Sequence, residues 1–229
     1  RDDSRNSDIL VKTSDATWQA YNAYGGNNFY SEGRTVDVFT HAVKASYNRP
    51  FYTRGGGDWG YGPGNWLFNA EYPMLRWLER NGFDVTYTTD VDMGMAVQTI
   101  TPANHRAMIS VGHDEYWSGT ARTNFENARN SGVHLAFFSG NEVYWKVRWE
   151  DNGRTLVCYK EGTMGENNCG GDCDPTDIWT GLWRDGDPAV YPGSDGWRPE
   201  NALTGQISWN PTVSSIQVPS EYRNLRFWR

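Results

Sequence analysis

The chain has 229 residues, 38% of them hydrophobic and 21% charged, with a formal net charge of -7. No apolar run approaches the ~20 residues a membrane-spanning helix needs. The acidic balance, without any block of lysines or arginines, counts against nucleic acid and against an anionic membrane surface as partners. That length holds one large domain or two small ones. Aromatic residues make up 15%, with 12 Trp and 13 Tyr. Many sit beside Gly, Asn, Asp or Arg, a pattern of structured loops over an α/β core that also suits a sugar-binding surface.

Taken in chain order, Ile9-Leu10-Val11-Lys12-Thr13 predicts a first strand, followed by a polar aromatic loop, TWQAYNAYGG, over residues 17–26. A second strand at about 42–47 runs into Asn48-Arg49-Pro50-Phe51-Tyr52, then a Gly-rich loop at 55–64 that is too long and aromatic for a linker. A helix follows at about 70–81, with Met74, Leu75, Trp77 and Leu78 on its apolar face and Gly82 at the left-handed position beyond its end. Residues 84–88 predict a strand ending in Thr89-Asp90-Val91-Asp92, and residues 108–111 another, ending in Gly112-His113-Asp114-Glu115-Tyr116-Trp117. A helix starts near Ser118, turns Phe125 and Ala128 inward and closes at Gly132; the strand at 133–138 ends in Ser139-Gly140-Asn141-Glu142. Alternating strands and helices predict βαβ units and a parallel sheet.

The fold class read from this pattern is α/β, with a mostly parallel sheet. Residues 1–150 form the domain that carries the site, and 151–229 a loop-rich extension with short strands near 155–159 and 213–218. The chain begins without an initiator Met or a visible signal peptide and ends on Phe227-Trp228-Arg229, which reads as a fragment or a processed chain. Cys158, Cys169 and Cys173 lie close together in sequence. Cys169 and Cys173 can close a small disulfide loop, or Cys158 can pair with either, and an odd thiol is left over.

Each predicted strand ends in a polar or aromatic cluster, and in a parallel sheet those ends share one edge, where ligands bind. His113 can manage protons near neutral pH. In an extended loop Glu115 points the same way as His113, while Asp114 points elsewhere and braces the turn. Asn141, at the next strand end, offers an amide donor to a polarised carbonyl oxygen. No nucleophile elbow, phosphate loop or zinc-ligand spacing is present, and His41, His105 and His134 read as structural. Glu115 and strand-end tyrosines are hard oxygen donors of the kind that suits Fe(III).

TWQAYNAYGG, the NRPF turn, LRWLERNGFDV, VGHDEYWS and LAFFSGNEVYWKVRWE together resemble the C-terminal domain of the large (beta) subunit of N,N-dimethylformamidase. The resemblance is close over residues 8–149 and looser beyond. It implies a Rossmann-like, glutamine-amidotransferase-like fold with helices on both faces of the sheet, and hydrolysis of a small N-substituted amide. It also implies a mononuclear iron held by two tyrosines and a glutamate. Carried onto this chain, the metal ligands are Tyr21, Tyr52 and Glu115, with Phe51 at the family's tyrosine position and Tyr30 as fallback. The catalytic residues are His113 and Asn141. A further family glutamate lies beyond this C-terminus, and a small subunit or a second copy is the implied partner.

Two other readings compete. One is a non-catalytic binding or assembly module using Trp59, Tyr61 and Trp66 to stack on a carbohydrate or a partner chain. The other is a glycosidase pairing Glu115 with Glu142, which needs a carboxylate separation of ~5–9.5 Å.

Overall fold

The computed structural model describes residues 5–32, 35–36, 41–51, 66–162, 173–176, 178–191, 194–208 and 218–226. The elements are β1 (Ile9–Lys12), α1 (Asp15–Tyr21), β2 (Ser31–Glu32), β3 (Thr35–Val36) and β4 (Lys44–Ser46). A π-helical turn (Trp66–Glu71) then leads into α2 (Tyr72–Arg80), β5 (Val85–Thr88), α3 (Asp90–Met95), β6 (Ala107–His113) and β7 (Tyr116–Ser118). After these come α4 (Gly119–Ser131), β8 (His134–Gly140), β9 (Trp145–Glu150), β10 (Thr155–Val157) and α5 (Asn201–Thr204).

A four-stranded sheet in the order β5-β1-β6-β8 is parallel throughout. Alternation along its strands decides which helix covers which face. Leu10 and Met108 pack with Met93 of α3 and with Phe125 and Ala128 of α4, whereas Val11, Ile109 and Val111 pack with Leu78 of α2. Burying a side chain such as Phe125 contributes about 1.5–3 kcal/mol. The Ser118 hydroxyl accepts from the Ala121 amide at the start of α4, and Gly132 ends that helix at φ 101, so the predicted start and stop signals both act as expected.

A second sheet runs β4-β10-β9-β7, with β10 antiparallel to β4 and β9, and β7 parallel to β9. It corrects two expectations. The second predicted strand pairs here, antiparallel, and not in the parallel sheet. The stretch expected as an aromatic loop from residue 17 is helical to Tyr21, with Ala16 and Ala20 sealed against Phe29, Ala45, Tyr116 and Leu156. Small residues at i and i+4 let this helix sit close to the sheet. The predicted strand at 213–218 lies outside the described residues except for Val218, which is in no strand.

Candidate functional site

Two connections cross from the parallel sheet to the second sheet, and they zip together. Asp114 and Glu115 link β6 to β7, while residues 141–144 link β8 to β9. The amides of Val143 and Tyr144 donate to the carbonyls of Asp114 and Glu115 at 3.0 Å, and Trp145 N–H also donates to Glu115 O at 2.8 Å. From the other side, the Thr17 hydroxyl of α1 accepts the Glu115 amide at 3.0 Å. Glu115 is therefore fixed through its backbone at the seam between the two sheets.

Its carboxylate is 2% exposed and ringed by donors. Tyr21 Oη donates to Oε2 at 2.8 Å, and Tyr30 Oη to Oε1 at 2.5 Å. Trp145 Nε1 lies 3.1 Å from Oε1, and His113 Nε2 lies 3.2 Å from Oε2. The two phenol rings stack at 4.5 Å between centroids, and His113 meets the Tyr21 ring edge-on at 6.1 Å. His113 and Glu115 thus face the same way. Asp114 turns to the opposite side, where its carboxylate accepts from Lys12 Nζ at 2.8 Å and from the Ser110 hydroxyl at 2.6 Å.

Sequence reasoning missed Lys160. It is 6% exposed, held at φ 52, and its ammonium lies 3.2 Å from the centroid of the Tyr30 ring and 4.5 Å from that of Trp145. Burial lowers its pKa to about 8, against the opposing pull of Glu115. For Glu115, burial alone would raise the pKa, but the hydrogen bond and charge of His113, the Lys160 charge and the Tyr30 hydroxyl bring it below the ordinary carboxylate value. Tyr30 moves the other way: burial first, then the charge of Glu115, holds its hydroxyl well above the ordinary phenol value. The signal for Lys160 in sequence is its place directly after the strand predicted near 155–159, at the end of Cys158-Tyr159-Lys160.

Behind the cluster lies a buried layer of charge. Lys12, fully buried, bridges Asp90 and Asp114, and the Asp90 amide donates to Asp15 at 2.6 Å. Glu142 is 4% exposed, and among the described residues its carboxyl oxygens have no hydrogen bond of good geometry, although the Ser110 and Ser139 hydroxyls stand near enough to oppose the rise in its pKa. Burial, then the charge of Asp114, raises its pKa to about 8. Its electrostatic neighbours are Asp114, Ser110, Ser139 and Lys12, so it faces the back of the site, and the pairing with Glu115 that a glycosidase would need has no support here.

Among the other candidates, Asn141 is half-buried at φ 50 and directly follows Gly140, the register partner of His113. Phe51 is half-buried. Tyr52, Trp59, Tyr61 and the side chain of Trp66 lie outside the described residues. His105 Nδ1 bonds to Ser7, a structural role. Cys158 is a free, buried thiol while Cys173 is disulfide-bonded, which removes Cys158 from the pairing.

Fold and cluster together define a mixed α/β domain that gathers hard oxygen donors, from helix α1, from Tyr30 and from the β6–β7 connection, where its two sheets meet. The model of the family described as N,N-dimethylformamidase beta subunit-like, C-terminal, matches residues 1–229, and the chain belongs to that family. No curated protein matches it.

Proposed function

We propose that this domain hydrolyses small N-substituted amides with the help of a mononuclear Fe(III) held by Tyr21, Tyr30 and Glu115. The observation that carries this reading is the capture of both Glu115 carboxylate oxygens by two phenol hydroxyls. The Tyr30 phenol, held protonated by burial and the Glu115 charge, surrenders its proton only to a strongly Lewis-acidic ion, and an all-oxygen donor set suits ferric iron. Tyr30 takes the place that the resemblance gave to Tyr52. When bound, the ion supplies Lewis acidity for a carbonyl oxygen.

The rest is done by the protein's own groups. With the Nε2–H of His113 directed at Glu115 Oε2, the accepting lone pair of the imidazole is on Nδ1, which lies on the side of Gly140. That nitrogen takes the proton of the attacking water. Asn141, next along the chain, donates its side-chain amide to the developing oxyanion. Trp145 and the Tyr21–Tyr30 stack keep bulk water from Glu115. The parallel half of the fold is Rossmann-like and glutamine-amidotransferase-like in the same proposal. The words "beta subunit" in the family description point to a companion subunit, or to a second copy of this chain, as its partner.

The test is elemental analysis and visible spectroscopy of the protein loaded with iron, alongside assay of N,N-dimethylformamide hydrolysis to formate and dimethylamine. One iron per chain, a phenolate-to-iron charge-transfer band and amine release are expected. A colourless, iron-free protein overturns the metal, and absence of amine release overturns the activity.

A further inference from the structure

Glu71 is a buried carboxyl that the reading above leaves unused. It closes the π-helical turn Trp66–Glu71, a distortion that recurs at functional sites, and it is 1% exposed. Hydrogen bonds from Trp18 and from both the amide and the hydroxyl of Ser14 fix its place. Trp18 Nε1, on the same helix as Tyr21 and one turn before it, donates to Oε1 at 2.7 Å, and the Ser14 hydroxyl donates to the same oxygen. A side chain on Gly112 would meet Glu71 Cγ at 2.9 Å, so the glycine just before His113 is the opening through which Glu71 reaches the strand end. Glu71 therefore stands between the element that carries Tyr21 and the element that carries His113. Among the described residues no donor is directed at its Oε2.

We infer that Glu71 is a second proton-carrying side chain of this crevice, the one that delivers a proton to the departing amine, an assignment that rests on the amidase reading. When the amide C–N bond breaks, its electron pair goes to nitrogen, and nitrogen takes the Glu71 carboxyl proton. The water oxygen forms the new C–O bond and loses one proton to His113. Return of that proton to Glu71 through solvent closes the cycle, with one water consumed and one acid and one amine formed. Burial, followed by the opposing hydrogen bonds from Ser14 and Trp18 and the charge of Asp114, leaves the pKa of Glu71 raised to about 7, which suits a group that must give up and regain a proton at neutral pH.

Wild type and Glu71→Gln are compared with N,N-dimethylformamide as probe. The amide oxygen of the variant can still accept from Ser14 and Trp18, so the fold and the iron band are expected to persist. A loss of roughly 100-fold in kcat/KM is expected, together with loss of the alkaline limb expected of the wild type near pH 7. A variant with wild-type rate and an unchanged limb reduces Glu71 to a clamp and overturns the inference. Difference infrared spectroscopy separates this result from failure of the amidase reading. If the wild type turns over no amide, a protonated-carboxyl band at neutral pH that vanishes in Glu71→Gln and shifts on adding the probe still places Glu71 at the ligand. A band that is absent or indifferent to the probe overturns it.

Discussion

At the scale of single residues, the sharpest question is which phenols serve Glu115. Tyr30 Oη lies 2.5 Å from Oε1 with its ring stacked on Tyr21, so Tyr30→Phe is expected to abolish the visible charge-transfer band and most iron binding. Tyr52→Phe is expected to leave both in place. The reverse outcome in iron content and absorbance would return the ligand to the Arg49-Pro50-Phe51-Tyr52 turn. Lys160 offers a second test at this scale. Its ammonium over the Tyr30 ring favours whatever negative charge that ring acquires, and a desolvated cation–π contact contributes about 2 kcal/mol. Lys160→Met keeps the stem and removes the charge. Iron affinity is expected to fall by about tenfold or more, read from competition with a chelator, and unchanged affinity would show that the ammonium serves packing alone.

At the scale of elements, Gly112 shows how tightly the segments are fitted. It sits at φ +93, and an added Cβ would meet Glu71 Cγ at 2.9 Å and Ala70 Cβ at 3.3 Å. Gly112→Ala therefore carries both a strained backbone and a clash with the π-helical turn, and a loss on the order of 1–3 kcal/mol is expected in urea unfolding. A variant as stable as wild type would mean that the turn moves freely. The elements legible in sequence were those with clean boundaries: the apolar run that became β6, the Ser118 cap and terminal Gly132 of α4, and the left-handed Gly82 after α2. Where the pattern misled, burial was polar. Helix α1 hides Thr17 and Gln19 beside its alanines, so it reads as a loop. Strand β9 alternates Trp145, Lys146, Val147 and Arg148, yet Lys146 is itself buried, donating to the Trp179 carbonyl at 2.8 Å. The same holds for the site. His113, Glu115 and Asn141 stand out at strand ends because the local pattern points to them. Tyr30 and Lys160 join the cluster only because two sheets meet, and that depends on pairings distant in sequence.

At the scale of the whole molecule, the buried carboxyls at and behind the site outnumber the buried cation that faces them, and this sets how stability depends on pH. Lys12 is the one buried cation facing Asp90 and Asp114 among the described residues. Burial raises the pKa of Asp15 and Asp90, takes Glu71 from 4.5 to about 7 and takes Glu142 from 4.5 to about 8. A carboxyl whose pKa is higher in the folded state than in the unfolded chain holds extra protons when folded. Its contribution is fully present below the unfolded pKa and is lost as pH rises through the folded one. For Glu71 and Glu142 that window runs from 4.5 to about 7 and about 8. Glu115, Glu150 and Asp174 are lowered instead, so their stabilisation is lost only in acid, below the ordinary carboxylate range. The iron-free protein is therefore expected to be most stable near pH 4.5, where the raised carboxyls are still protonated when folded and the lowered ones are already ionised, and to weaken towards pH 8, with each raised carboxyl contributing at most about 1.4 kcal/mol per pH unit. Glu142→Gln removes one ionisation while keeping the shape, so the decline in the urea midpoint between those pH values should become shallower. A wild-type midpoint that rises over the same interval, or a variant whose slope matches the wild type, would show that Glu142 is ionised in the folded protein and that its charge is balanced by Lys12.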